Sequence, residues 1–280
     1  MASSKEGTIK EEPAVSEIDY KLHKRNLLKD RIAQNLMSKE VVTTTPETSL
    51  DAAAQLMGDK HVGSLVVVKY KTPVGIVTER DLLSKVLALG LFLPDEKVAD
   101  VMSFPLTGVS YMAGIKEVAQ LMINRKSRLA VFDKEGRLIG IVTASDLIKS
   151  LPDAYETEIK VDDFMTKGIV VTGEEESVIS VARIMGRQRI GSVIITRREE
   201  PFGIFTERDL LTAFLAKGRT LFTEVGPDCS SPLLTISAGT SVHIAATTMA
   251  LKHVRRLPVV RNGKLIGIVT ARDLVEAYAK

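Results

Sequence analysis

The feature that most constrains this chain is a short string that returns four times at nearly constant spacing. Gly75-Ile-Val-Thr-Glu-Arg-Asp81 recurs as Gly140-Ile-Val-Thr-Ala-Ser-Asp146, Gly203-Ile-Phe-Thr-Glu-Arg-Asp209 and Gly267-Ile-Val-Thr-Ala-Arg-Asp273, in steps of 65, 63 and 64 residues. The register extends upstream, where Met37, Met102, Met165 and Cys229 each stand 20 residues before Met57, Met122, Met185 and Met249. A fixed period of this kind means one structural unit repeated, and it has to be read before any single residue is. Cys229 thereby occupies a small apolar position, which accounts for it without redox or metal chemistry.

Within each copy, apolar residues at helical spacing, as in Leu50/Ala53/Ala54/Met57 and Val178/Val181/Ala182/Met185, predict a first helix. Ser49, Gly114, Ser177 and Ser241 stand just before these runs, and serine is a good N-cap. An apolar run such as Ser64-Leu-Val-Val-Val68 follows, then a turn, the Gly-Ile-Val-Thr strand, and a second helix after the Asp. In the last copy the turn is Asn262-Gly263, a strong hairpin signal. The predicted fold is α/β, a chain of α+β repeats in the order β-α-β-β-α. One such unit cannot cover its sheet alone and has to pair.

The copies are of two alternating kinds. The first and third open their middle strand with Gly63-Ser64 and Gly191-Ser192 and continue as Thr-Glu-Arg-Asp; the second and fourth carry Ser127-Arg128 and Arg255-Arg256. This alternation predicts two pseudo-twofold paired modules, the first copy with the second and the third with the fourth. The expected boundaries are a flexible tail with a basic helix over 1–30, then copies at 31–92, 93–153, 154–220 and 221–280, with the Pro-containing, acidic segment 151–158 linking the modules.

At 45% apolar residues, a large core is expected. No apolar run reaches membrane-spanning length and the N-terminus has no apolar signal core, so the expectation is a cytoplasmic protein without a membrane partner. A net charge of +3 is too small to argue for nucleic-acid binding. The local exception is Lys21-Leu-His-Lys-Arg25 with Lys29 and Arg31, which reads first as a solvated helix face. Residues 1–16 have the composition of a disordered tail, while Ile18/Leu22 and Ile32/Leu36 show helical spacing.

A strand that ends in Thr, followed after two residues by Asp at a helix start, puts a hydroxyl and a carboxylate beside backbone N–H groups. Such a rim suits a ribose phosphate, the carboxylate accepting from the ribose hydroxyls. Either residue could instead simply cap the helix, and for one copy the two readings stand level. Four aspartates in register weigh against capping alone, since Ser or Asn would serve equally well there.

With the Gly-h-h-Thr-x-x-Asp string and the Arg-Leu-Pro-Val-Val strand before it, the chain over residues 31 to 280 resembles the cystathionine β-synthase (CBS) domain family. The resemblance implies copies paired through their sheets, each module with two clefts for an adenosine derivative, and modules that stack as discs. Carried over, it makes Asp81, Asp146, Asp209 and Asp273 the ribose-binding residues, with Thr78, Thr143, Thr206 and Thr270 near sugar or phosphate. It also implies phosphate contacts from Arg80, Arg208 and Arg272 and from Arg128, Arg255 and Arg256, with His253, Arg125 and Lys126 as lesser candidates. Ser145 stands where the other copies have Arg, and the Gly-Ser openings bring no basic group, so the four sites are expected to be unequal. Gly63 and Gly191 would allow close approach of a base or tight packing.

No P-loop or paired-carboxylate motif is present, and the four histidines read as unrelated in register, none recurring through the repeat; a non-catalytic role is therefore expected. The expected function is binding of AMP, ADP or ATP as ligand, with no cofactor required, by a regulatory protein that signals to another protein or through its own assembly, a homodimer included. The alternative is a ribosome- or RNA-associated factor whose basic segment docks on phosphate. That alternative expects salt-sensitive loss of ribosome co-sedimentation when residues 1–30 are deleted.

Overall fold

The computed structural model describes residues 32–91, 93–124, 128–150 and 159–279. The basic stretch from Lys21 to Arg31, the linker 151–158, and Arg125 and Lys126 lie outside the described residues. Each copy forms one three-stranded sheet: β1 (Thr43–Thr44), β2 (Ser64–Lys69) and β3 (Thr72–Thr78); β4 (Gly108–Ser110), β5 (Arg128–Phe132) and β6 (Leu138–Thr143); β7 (Val171–Gly173), β8 (Ser192–Arg197) and β9 (Glu200–Thr206); β10 (Ile236–Ser237), β11 (Arg256–Arg261) and β12 (Lys264–Thr270). In every sheet the short first strand runs parallel to the middle one, and the middle and last form an antiparallel hairpin. The first helices are α1 (Leu50–Asp59), α3 (Ile115–Asn124), α5 (Val178–Gln188) and α7 (Val242–Leu251). The second are α2 (Glu79–Lys85), α4 (Ala144–Lys149), α6 (Glu207–Asp209, continuing as a π-helical turn over Leu210–Phe214) and α8 (Ala271–Ala279). The order β-α-β-β-α holds in all four copies.

The turn chemistry also follows the sequence. Asn262 and Gly263 have φ of 51° and 72°, the pair of positive values that a two-residue hairpin turn requires. The first and third copies reach the same conformation with Tyr70-Lys71 and Arg198-Glu199. Of the expected N-caps, Ser177 and Ser241 accept from the backbone N–H of Ser180 and Ile244; the Ser49 side chain makes no such bond.

The invariant glycine of the last strand has a specific task. A short segment lies across each last strand through two backbone hydrogen bonds: Ser103 on Ile76, Ser38 on Ile141, Thr166 on Ile268 and Ser230 on Ile204, at 2.8–3.1 Å. A Cβ at Gly75 would stand 2.8 Å from the Ser103 carbonyl oxygen, and one at Gly203 would meet Cys229 Sγ at 2.6 Å and Ser230 O at 2.9 Å. At Gly140 and Gly267 it would meet Met37 Sδ and Met165 Sδ at 2.3 and 2.5 Å. The Met/Cys register and the glycine register are thus two sides of one contact. That contact is exchanged between sequence neighbours, since the segment heading the first copy covers the last strand of the second and the reverse, and the third and fourth do likewise.

The chain condenses into two compact units. One contains 107–169 and 234–280 with the segment ending at Glu40; the other contains 41–106 and 170–233. The continuous core of the first joins α3, α4, α7 and α8, with Val118, Leu129, Leu147, Val242, Leu257 and Leu274 fully buried. That of the second joins α1, α2, α5 and α6, around Leu50, Met57, Leu82, Met185, Phe205 and Phe214. The expected sequential pairing therefore appears as exchanged segments, whereas the hydrophobic cores join like copies, first with third and second with fourth. The reason is visible in the helices: Gly58 on α1 packs against Ala216, and Gly186 on α5 against Ala88, so closely that an added Cβ would stand 2.3 and 2.5 Å from the facing Cβ. The first and third copies carry glycine at this reciprocal contact.

Gly75→Ala and Gly203→Ala are each expected to destabilise the fold by roughly 1–3 kcal/mol, because the clash is with backbone that cannot turn aside. Urea denaturation checks this, and Gly114→Ala, where the space is open, serves as the control.

Candidate functional site

In every copy the conserved Thr is the last residue of the last strand and the N-cap of the second helix. Asp Oδ2 accepts from the Thr backbone N–H at 2.8–2.9 Å and from the Thr hydroxyl at 2.6–2.8 Å. The Asp N–H in turn donates to Thr Oγ1 at 3.2–3.4 Å. This is a capping box, with Asp in the reaching-back position. Both readings of the motif thus meet in one residue: Oδ2 is committed to the cap, and only Oδ1 remains for a ligand. The row of unpaired helix N–H groups expected at this rim is largely consumed. The first helical N–H donates to the carbonyl of Gly63, Gly191 or Arg255 at 3.0–3.1 Å, and the third goes to the Thr hydroxyl.

The two kinds of copy differ at Oδ1. In the first, Asp81 Oδ1 pairs with Lys85 Nζ at 2.8 Å, and in the third Asp209 Oδ1 accepts from Ser230 Oγ at 3.4 Å. Among the described residues, Asp146 and Asp273 make no hydrogen bond or ion pair through Oδ1. Burial raises the Asp273 carboxyl above its ordinary range; the two Thr270 hydrogen bonds pull the other way without cancelling it.

The basic residues are placed by strand register. Arg128 lies directly opposite Thr143 across β5 and β6, and Arg256 opposite Thr270 across β11 and β12. Cα atoms of such opposed residues are about 4.5–5.5 Å apart. The second and fourth copies therefore bring Arg, Thr and Asp to one sheet end: Arg128, Thr143 and Asp146, then Arg256, Thr270 and Asp273. Ser64 and Ser192 take the Arg position opposite Thr78 and Thr206. Arg255 precedes β11 and closes α8 through its carbonyl, as Gly63 and Gly191 do for their helices.

Arg80 and Arg208 have structural work that the sequence did not disclose. Arg80 Nε donates to Glu207 Oε1 at 2.7 Å, and Arg208 Nε lies 3.6 Å from Glu79 Oε2. The glutamate side chains are 6% and 3% exposed, whereas the arginines are 49% and 31% exposed. Burial alone would lower the Arg80 value, but Glu207 first, then Glu79 and Asp81, hold it above ordinary arginine. The two ion pairs are reciprocal across like copies. Glu79 and Glu207 were missed as functional residues, although the signal was there: Glu follows Thr only in the first and third copies, with Ala144 and Ala271 replacing it in the second and fourth. Arg272, beside Ala271, donates to the Ile123 carbonyl at 3.3 Å.

The histidine reading needs one correction. His61 and His253 do share a register, with Arg189 between them; all three adopt the left-handed conformation just after the first helix, with φ of 53°, 54° and 55°. His243 lies elsewhere, buried on α7 with its Nδ1 3.2 Å from the Tyr278 hydroxyl. Among the described residues no cluster could hold a metal ion, and no helix is long and apolar enough to cross a membrane.

A sequence model of the CBS domain matches residues 32–88, 98–153, 161–216 and 224–280. The chain belongs to the CBS domain family. It is 26% identical over 271 residues to protein MJ1404 of Methanocaldococcus jannaschii, covering 90% of this chain and 63% of that protein. Against protein MK0525 of Methanopyrus kandleri it is 38% identical over 117 residues, 41% of this chain and 59% of the relative. The chain thus spans about three fifths of the length of these two relatives. The crystal structure of protein MJ1225 of Methanocaldococcus jannaschii superposes with a TM-score of 0.73 at 21% identity, covering 88% of this chain and 99% of that one. CBS repeats in tandem, with their mixed sheets and flanking helices, are the established architecture.

Arg80→Ala should cost about 2 kcal/mol, the penalty of removing the Arg80 guanidinium from the buried Glu207 carboxylate at a half-exposed pair. Adding Glu207→Gln should recover about half of that loss, as a double-mutant cycle by urea denaturation will read.

Proposed function

We propose that this CBS protein is a non-catalytic regulator that binds an adenine nucleotide, AMP, ADP or ATP, and passes the occupancy on to a protein target or to its own assembly. The observation that carries this reading is the convergence at the ends of β5/β6 and β11/β12. A guanidinium-bearing residue stands opposite a capped Thr–Asp pair whose second carboxylate oxygen carries no described bond. Chemically, Asp Oδ1 accepts from a ribose hydroxyl, and Arg offers the forked donor geometry that phosphate prefers. Support of a general kind comes from MJ1225, which is described as a proposed archaeal homolog of g-AMPK. The capped Asp is held by three hydrogen bonds before any ligand arrives, so little ordering is required on binding.

Because a ribose hydroxyl donates to the charged carboxylate, binding at the fourth copy favours ionised Asp273. Burial has raised that carboxyl, so affinity should be full at neutral pH and should fall, on acidification, at a higher pH than an ordinary aspartate would give. Isothermal titration with AMP, ADP and ATP tests the reading, and no heat at millimolar nucleotide contradicts it. Asp273→Ala with Arg256→Ala should remove one site, a loss of about a hundredfold or more in its affinity, and leave binding at the second copy intact.

A further inference from the structure

We propose that Glu79 and Glu207 are specificity-determining residues that keep Arg80 and Arg208 from serving a ligand phosphate, and so confine phosphorylated nucleotides to the second and fourth copies. The inference rests on the adenine-nucleotide reading above and goes further, because the family pattern by itself puts Thr-x-x-Asp in all four copies.

An arginine binds phosphate well when it can present two parallel N–H donors to two oxygens. Arg80 has already given its Nε–H to Glu207 at 2.7 Å, and the Arg208 Nε is drawn to Glu79 at 3.6 Å. Turning either guanidinium towards a ligand would draw it away from a glutamate that is 6% or 3% exposed. Weakening an ion pair at a buried charge is costly, enough to weaken a competing interaction by about a hundredfold. The field points the same way. Two carboxylates and two guanidiniums, cross-paired, form a neutral group that attracts an incoming dianion little, and buried Asp81 lies beside it.

Two further differences favour the even-numbered copies independently. The Glu position is Ala144 in the second copy and Ala271 in the fourth, so no carboxylate at that position competes with the ligand; among the described residues Arg272 donates to a neutral carbonyl, from which release costs less. The Asp oxygen that would meet ribose is taken by Lys85 in the first copy and by Ser230 in the third, but among the described residues it has no partner in Asp146 and Asp273. Opposite the cap, the strand supplies Arg128 and Arg256 in the even-numbered copies and Ser64 and Ser192 in the odd ones. The Glu–Arg pairs therefore do more than join like copies: they set aside two of the four Thr–Asp caps.

The test is the stoichiometry of AMP binding to the whole chain by isothermal titration, with circular dichroism confirming that each variant folds. The wild type should bind two AMP per chain; Asp146→Ala with Asp273→Ala should bind none at millimolar ligand; Glu79→Gln with Glu207→Gln should bind four, the two new sites weaker. Three or four sites in the wild type, AMP retained by the Asp146/Asp273 variant, or a Glu79/Glu207 variant that still binds only two would each overturn the proposal. Should the glutamine variant not fold, the Asp146/Asp273 variant decides alone, since any AMP it holds must sit in the odd-numbered copies. No binding to the wild type would instead contradict the nucleotide reading itself, an outcome distinct from the others.

Discussion

Each last strand accepts its neighbour's segment only because position 75, 140, 203 or 267 has no side chain. A methyl group there would collide with a methionine or cysteine sulfur at 140, 203 and 267, and at 75, 203 and 267 it would come within 3.0 Å of a backbone oxygen. The rest of the assembly depends on this contact. It exchanges the heading segments of the first and second copies and of the third and fourth, it closes the edge of every hairpin with a pair of backbone hydrogen bonds, and it positions the strand end that carries Thr. The Thr–Asp cap follows three residues later, so a packing requirement and a candidate ligand site are written into one seven-residue string.

A second constraint sorts the copies. Cores form between like copies, where Gly58 and Gly186 let helices approach closely and the Glu79–Arg208 and Glu207–Arg80 pairs bridge the contact. Buried ion pairs add little net stability against an apolar alternative, yet they penalise mismatched pairing strongly. Glu and Arg in the odd-numbered copies, with Ala in the even-numbered ones, are complementary in this sense: each type matches its own kind. On the proposed reading, the same residues which join like copies also hold two arginines away from phosphate.

Much of this was legible in the sequence. The period, the strand and helix order, the Asn262-Gly263 turn and the family pattern all rest on local chemistry, which a single sequence carries in full. The Thr–Asp cap was legible as one of two alternatives, and the structure shows that the cap is made while one carboxylate oxygen is left over. What was not legible depended on contacts between residues more than a hundred positions apart: the union of first with third copies, the commitment of Arg80 to Glu207, and the closeness of Met37 to Gly140. The alternation of copy types was seen and suggested sequential pairing, because nothing local distinguishes a residue that faces a ligand from one that faces a like copy. The shared register of His61 and His253 was likewise masked by Lys126 and Arg189 in the two copies between them.

On the proposed reading the end of β11/β12 is a nucleotide site and the corresponding end of β2/β3 a structural joint. A crystal structure of the whole chain grown with AMP addresses this most directly. The account predicts nucleotide density with its ribose at Asp273 Oδ1 and its phosphate at Arg256, an equivalent molecule at Asp146 and Arg128, and Arg80 still paired with Glu207. Nucleotide bound at Asp81 or Asp209, with the even-numbered copies empty, would contradict it.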